Sequence, residues 1–507
     1  MSDGLEQDSA GIAPLPAGLL FVGAVLFYLA TLRYDYPYDG VAWAILLEHR
    51  YAIGGFHAEN AHYIPFYFLT QGVYFLLRAF FSVRAVPVLQ IFCASSAAFA
   101  LVLLDRFLAK SGFVRRARIV ALLALGTAPH FWRYASTMEV YPLGFVFLIG
   151  AAVLRLREEA GATLGGMTLP PLGHQSLATF SIACLADSRR HLRDLVILVL
   201  AGLLFIAIAF VSWTVSRNAI PNFRAWLFGH AAGGIPPLGS AAAGRAAGRF
   251  AALVVEPAKE LSVLPVAGNL LFLLGLTGLF VPPQPPLRKT LLTFLVLESV
   301  FCLIWHPFGN QSWVFLLFPV AVGLAGWARK RRGVGYLLIA VLLANAAWGY
   351  VSVGRRAERL EANPYLVRAL EIGRVTEPNA AILIAPYGEF HRDKVYVPYF
   401  STRFPFYIER FLAHDSAPTP LQRWRDFDRE VQRMAAERPV YAVRELRGDT
   451  VVFEGFGKNF GIPETVLRQW AARRLGEPVG RFLFRVREDS REIPDEAMER
   501  GDSSPRR

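Results

Sequence analysis

The residues best suited to chemistry in this 507-residue chain lie between its first two apolar runs. The stretch Arg33-Tyr34-Asp35-Tyr36-Pro37-Tyr38-Asp39-Gly40 is followed by Glu48, His57, Glu59 and His62. Four of the 16 acids that precede Gly354 fall between Asp35 and Glu59. Aromatic faces suit sugar rings, and a carboxylate can take the proton of a hydroxyl. Asp39 is the best single candidate for such a base, because Gly40 lets the backbone turn and present it. His57, Glu59 and His62 carry metal-binding groups, but their spacing matches no standard site. An aromatic belt at a membrane surface would explain the tyrosines alone. So many titratable groups in one loop favour a functional reading.

A second constellation runs His130-Phe131-Trp132-Arg133-Tyr134-Ala135-Ser136-Thr137-Met138-Glu139-Val140-Tyr141-Pro142. Glu139 stands isolated among apolar residues, and an ionisable group in that setting is a functional hypothesis by default. Arg133 is placed to pair with Glu139 or to hold a phosphate; a purely structural Arg133–Glu139 ion pair is the plain alternative. Weaker signals are His174 at the start of a short apolar stretch, His230 in Trp226-Leu227-Phe228-Gly229-His230, and His306 with Asn310 in Trp305-His306-Pro307-Phe308-Gly309-Asn310. For each lone histidine a hydrogen-bonded loop role is at least as good a reading.

The elements that must position these residues are apolar. The chain is 54% hydrophobic and 18% charged, which excludes a disordered chain and argues against an ordinary soluble enzyme. From Gly354 onward there are 24 acids and 27 bases, leaving long neutral stretches before it. A span needs about 20 apolar residues. Candidates are 15–32, 63–81, 85–108, 119–136, 139–155, 195–215, 261–281, 289–305, 311–328 and 334–353, with 174–187 as a short, partial one. The spacing therefore predicts an α-helical polytopic membrane protein of about 10–11 transmembrane helices. A tail at 1–14 precedes the membrane part at 15–353. A small C-terminal α/β domain follows at 354–490, then a frayed end at 491–507. Within that domain Ala380–Ala385, Pro439–Val443, Thr450–Phe453 and Arg481–Val486 read as strands, and 421–437 and 463–475 as amphipathic helices. The segments 156–173 and 231–249 read as loops. No internal repeat and no Gly-rich phosphate loop is visible.

The net charge of +13 reports loop orientation better than it reports a nucleic-acid partner. Arg329-Lys330-Arg331-Arg332, Arg288-Lys289 and Arg189, Arg190 and Arg193 mark the inside. The loops 216–260 and 306–310, the turn before Glu139 and the C-terminal domain then fall outside; charge counting leaves 33–62 undecided. Cys93, Cys184 and Cys302 lie in or beside apolar segments and make neither a disulfide framework nor a zinc site. The first residues are acidic, so the first apolar run reads as a retained helix rather than a cleaved signal.

This layout resembles the GT-C superfamily of integral-membrane glycosyltransferases, in particular the protein O-mannosyltransferase-like branch and its bacterial relatives. The points of resemblance are Asp39-Gly40, Asn60-Ala61-His62-Tyr63-Ile64-Pro65, the Phe131-Trp132-x-x-Ala135-x-x-x-Glu139-Val140-Tyr141 run, and Trp305, Pro307 and Asn310 before a late helix. The chain departs from that pattern at 60–63, where relatives often carry His-Pro-Pro-Gly. It also lacks the usual second acid close after the first, for which Glu48 or Glu59 would substitute. The resemblance implies a multi-pass protein of the inner (plasma) membrane, with its active site on the extracytoplasmic face, which would also place 33–62 outside. Its partners would be a polyprenyl-phosphate-linked sugar, with mannose as one candidate, membrane lipid, and a hydroxyl acceptor on protein, lipid or glycan. Asp39 would be general base, with Glu139 shaping the catalytic pocket. Asp35, Glu59, His62, Arg133, Tyr141, His174, His230, His306 and Asn310 would bind substrate. A Mg or Mn ion is compatible with such a site, though nothing in the sequence demands one. The rival reading is a lipid or solute transporter or flippase. It would show repeats with matching broken helices and acids in mid-span rather than at helix ends.

Overall fold

The computed structural model describes residues 15–53, 56, 58, 61–157, 159–216, 222–227, 242–305, 311–385, 387, 391–415 and 417–488. The chain divides into two compact units, Met1–Glu358 and Arg359–Arg507.

The first unit is helical. It opens with α1 (Ala17–Ala30), α2 (Tyr38–Ile53), α3 (Ile64–Phe80) and α4 (Ala85–Lys110). It continues through α5 (Arg115–Gly126), α6 (Pro129–Ser136), α7 (Tyr141–Arg155), α8 (Ala160–Gly173) and α9 (Ala178–Ala183). The remainder is α10 (His191–Val215), α11 (Ala242–Leu261), α12 (Pro265–Gly278), α13 (Arg288–Trp305), α14 (Leu317–Lys330) and α15 (Arg332–Gly349). Among the described residues, Ala85–Lys110, His191–Val215, Gln311–Lys330 and Arg332–Ala357 are each long and apolar enough to cross a membrane. Two bent pairs pass the same test: α6 with α7, bent by 115°, and Ala251–Leu261 with α12, bent by 93°.

Burial separates the inner helices from the lipid-facing ones. Ala94, Ala97, Ala98 and Ala100 on α4 are fully buried and let neighbouring helices approach closely. α10 and α15 instead expose Leu195, Val199, Leu203, Leu337, Val341 and Leu343. In water such a surface would be costly, so these faces meet hydrocarbon. The α12–α14 contact is made by glycines: a Cβ at Gly323 would collide with the Gly275 carbonyl, and one at Gly278 with that of Gly323. Close approach of this kind replaces the hydrophobic driving force that is missing between helices in lipid.

Several sequence expectations change here. The expected loop 156–173 contains helix α8. Its glycines serve packing, since Gly166 lies against Arg155 and Gly173 against Phe147 of α7. Buried backbone must bond internally in a membrane, which overrides weak helix propensity. The expected loop 231–249 is helical from Ala242; residues 231–241 lie outside the described ones. The expected span 119–136 is split into α5 and α6 ahead of Pro129, and that at 261–281 is turned against α11 ahead of Pro265. Proline lacks the N–H that would continue the preceding helix. The short apolar stretch 174–187 is a broken run of 3-10 turns around α9.

The second unit contains α16 (Pro364–Val375), β1 (Ala381–Ile384), β2 (Phe404–Tyr407), α17 (Ile408–His414), α18 (Pro420–Glu437) and β3 (Val440–Val443). It ends with α19 (Thr450–Phe460), α20 (Glu464–Arg474), β4 (Leu475–Val479) and β5 (Leu483–Val486). The sheet order is β2-β1-β3-β5-β4. β1 runs parallel to β2 and β3, and β5 antiparallel to β3 and β4. The expected strand Thr450–Phe453 is the start of α19. Asp449 caps it by accepting from the N–H of Val451 and Val452, and Gly461, at φ +69°, ends it. The β-branched run suggested a strand, but Val452, Phe453 and Phe456 share one buried helical face. Strands β2 and β4 carry Pro405 and Pro478 and lie at the sheet edges. Edge placement tolerates the missing donor.

The core of this unit surrounds Trp424, Phe427 and Trp470. Beside them Asp428 accepts from Trp470 Nε1 (2.8 Å) and Arg474 Nε (2.8 Å), all three side chains being buried. Removing the carboxylate strands a buried guanidinium. Asp428→Ala should therefore cost the unit about 3–5 kcal/mol. Hydrogen-exchange mass spectrometry would register this as faster exchange across α18 and α20.

Candidate active site

The centre of the candidate site is the break between α6 and α7. Pro129 and Pro142 start the two helices, and residues 137–140 turn between them. The loop before α2 is sewn onto this turn. The Arg33 N–H donates to the Ser136 carbonyl (3.2 Å). Gln90 Nε2 on α4 donates to both the Arg33 and Ser136 carbonyls (3.3 and 3.4 Å), and Cys93 Sγ contacts the Glu139 carbonyl (3.1 Å). Gly40 allows the last approach: a Cβ there would lie 2.5 Å from the Met138 carbonyl oxygen and 3.0 Å from Pro37 Cγ.

This docking puts Asp39, in the first turn of α2, within electrostatic reach of buried Glu139 and Tyr141. A helix N-terminus favours a carboxylate. Asp35 takes another position. It accepts from Arg33 Nε and Nη2 (2.8 and 3.0 Å) and faces Arg133 Nε at 3.2 Å. Arg133 thus pairs with Asp35, not with Glu139 as the structural ion-pair reading would have it.

On the other side of the turn lies an aromatic cluster. Tyr141 stacks on Tyr134 (centroids 4.8 Å apart) and stands 5.5 Å from the His174 ring. His174 is also 5.2 Å from Tyr63 and 6.3 Å from His62. Three separated sequence candidates, His62, Tyr141 and His174, are therefore brought together. His174 Nδ1 accepts from the Ser176 N–H (3.2 Å), so the neutral ring carries its proton on Nε2. These groups line the polar end of a cavity of about 540 Å³, whose walls continue along Ile182, Leu198, Phe205, Ile206 and Phe301.

Glu59, His230, His306 and Asn310, like His57, lie outside the described residues. Glu48 does not substitute for a second acid at the turn. It accepts from Arg84 Nε (2.8 Å) and from the N–H of Ala85 (2.9 Å) at the start of α4. Among the described residues no group of three His, Cys, Asp or Glu is placed to hold a metal ion. Sequence reasoning missed Gln90, which carried no signal, and the buried Glu298 and Glu260. Glu298 accepts from Thr179 Oγ1 (2.5 Å), and Glu260 faces His130 Nδ1 at 3.4 Å. Both are acids within or beside apolar runs, the same signal that singled out Glu139.

Structural comparison finds similar solved structures, of which three are described. Arabinofuranosyltransferase AftD from Mycobacteria aligns with a TM-score of 0.50 at 15% identity, over 88% of this chain and 37% of that one, so the chain spans little more than a third of AftD. ArnT from Cupriavidus metallidurans in the apo state aligns with a TM-score of 0.53 at 12% identity, over 92% of this chain and 97% of that one. ArnT bound to undecaprenyl phosphate gives 0.55 at 12%, over 93% and 98%. No protein-family model matches the sequence, and no curated protein matches it. At these identities the likeness concerns architecture: the chain has the GT-C fold, an α-helical integral-membrane unit with a small C-terminal α/β unit.

The Gly40 contact is open to test. Gly40→Val must push α2 off the Met138 carbonyl and should destabilise the protein by roughly 1–3 kcal/mol. Gly18→Val, where a Cβ meets nothing within 4 Å, should be neutral. Paired thermal melts in detergent would compare the two.

Proposed function

We propose that the protein is an inverting glycosyltransferase that moves a sugar from a polyprenyl-phosphate donor to an acceptor hydroxyl on the extracytoplasmic side of the inner membrane. The observation that carries this reading is the placement of Asp39 at the turn bearing Glu139, next to the cavity headed by His62, Tyr141 and His174. The fold is shared with ArnT, whose structure holds undecaprenyl phosphate. The apolar length of the cavity suits a prenyl chain, and the Nε2–H of the neutral His174 ring can donate to phosphate oxygens.

In this reading Asp39 takes the proton of the acceptor hydroxyl. The resulting oxygen nucleophile attacks the anomeric carbon, and the bond from that carbon to the prenyl phosphate oxygen breaks, with the phosphate leaving as an anion. One displacement needs no protein nucleophile and inverts the anomeric centre. His62 and His174 would meet the leaving phosphate, and Arg133 would add positive charge from across the turn. Glu139 and Tyr141 would shape the pocket and position the acceptor. An extracytoplasmic site agrees with the basic clusters at 189–193, 288–289 and 329–332 marking the cytoplasmic side. Mannose is the first sugar to test, given the resemblance to the O-mannosyltransferase-like branch.

Asp39→Asn keeps the size of the side chain and removes the base. Transfer from a polyprenyl-phosphate sugar should fall about 10²–10⁴-fold, with the melting temperature unchanged. The readout is radiolabelled sugar moved per minute by purified protein. Full activity in this variant would remove Asp39 from the role.

A further inference from the structure

Among the described residues one cavity reaches Tyr141 at the start of α7 and another borders α6; the reaction proposed above uses the first. The other begins as an apolar groove of about 600 Å³ walled by Leu19, Gly23 and Phe27 of α1, Leu123 of α5, and Leu343 and Ala347 of α15. Small residues, including Ala24, Gly126 and Ala346, leave it room for a chain. The groove runs into a polar chamber of about 450 Å³, and Thr31, Thr127, Trp132, Ala346 and Tyr350 border both spaces. The junction is built from fixed groups. The Trp132 ring stacks on Tyr350, with centroids 5.8 Å apart and planes 7° apart, and its indole N–H donates to Thr31 Oγ1 (2.8 Å). Past it, the chamber is lined by the cations Arg33, Arg133 and Lys259 and the carboxylates Asp35 and Glu358.

A carbon-lined slot among apolar helices, leading into a chamber of three cations and two acids, has the polarity of an amphiphile. Guanidinium and ammonium groups donate to phosphate, and carboxylates accept from hydroxyls. Burying a hydrocarbon chain in the slot contributes about 0.8 kcal/mol per CH₂ relative to water. The chamber also leads toward the reacting turn: Asp35 shares a loop with Asp39, and Arg133 sits on α6, which ends at the turn bearing Glu139.

We propose that this composite cavity binds the acceptor, and that the acceptor is a lipid whose headgroup is anionic and carries hydroxyls. The acceptor role rests on the glycosyl-transfer reading; the lipid binding does not. Donor and acceptor would then approach the turn from opposite sides, each with its tail in hydrocarbon.

The test is a binding experiment on the purified full-length protein, with bound lipid counted by native mass spectrometry. The probes are dioleoyl-phosphatidylglycerol, its phosphatidylcholine counterpart and decaprenyl phosphate. A Cβ at Gly23 meets nothing within 4 Å, and the same holds for Gly202 on the wall of the His174 cavity. At both positions a side chain can therefore start without a clash at its Cβ, and a phenylalanine there narrows the adjoining space. Gly23→Phe should weaken phosphatidylglycerol binding at least about tenfold and hold decaprenyl phosphate within about twofold; Gly202→Phe should do the reverse. Arg133→Gln combined with Lys259→Gln should erase the preference for phosphatidylglycerol over phosphatidylcholine. Undiminished phosphatidylglycerol binding in Gly23→Phe would overturn the site. Loss of decaprenyl phosphate in that variant would give the groove to the prenyl carrier and overturn the acceptor assignment. Failure of sugar transfer with every donor would sink the glycosyl-transfer reading and the acceptor role, while these binding results would still decide whether the groove holds lipid.

Discussion

Where α6 stops and α7 begins, the backbone of an apolar region loses its helical partners. An unpaired carbonyl in hydrocarbon is costly, so a break there persists only if other groups supply the bonds. Here the supply comes from outside the broken pair. Gln90 and Cys93 reach in from α4, and the Arg33 N–H reaches in from the loop before α2. Gly40 removes the one side chain that would hold α2 away from the Met138 carbonyl. The groups that stabilise the break are thus the ones that bring the first loop to it. The meeting of two distant segments at the candidate site thus follows from a hydrogen-bonding requirement of the membrane.

That dependence explains what was legible in the sequence. Apolar runs announced the helices, because a span must be long and nearly uncharged. Asp39 and Glu139 stood out because acids are rare in that setting. Aromatic character and a lone histidine flagged Tyr141 and His174, though not that they face each other. The bends were marked by Pro129, Pro142 and Pro265, yet proline alone does not distinguish a kink from a helix start. Helix α8 was illegible for the opposite reason. Its glycines and prolines are turn formers in water, whereas in close helix packing they remove the bulk that would separate α8 from α7. Gln90 could not have been picked out: a single amide in an alanine-rich helix has no pattern, and its value lies in two carbonyls from elsewhere. In the C-terminal unit the buried strands β1 and β3 read cleanly, while β2 and β4 were hidden by their prolines, which edge positions allow.

The acids of the first loop divide their labour by what surrounds them. Asp35 and Asp39 are separated by one turn of sequence and would be hard to rank by type alone. Asp35 has its oxygens taken up by the guanidinium groups of Arg33 and Arg133. A carboxylate so engaged is an organiser: it fixes two cations at the mouth of the polar chamber. Asp39 is placed differently. It sits on the opening turn of α2, where Gly40 has brought the helix against the turn that carries Glu139. Asp35 therefore belongs to the chamber on the α6 side, whereas Asp39 lies within electrostatic reach of Glu139 and Tyr141. If both acids were catalytic, the Arg33 and Arg133 pairings would have to break in each turnover. If Asp39 alone took the proton, as proposed, the cations could stay in place during the reaction.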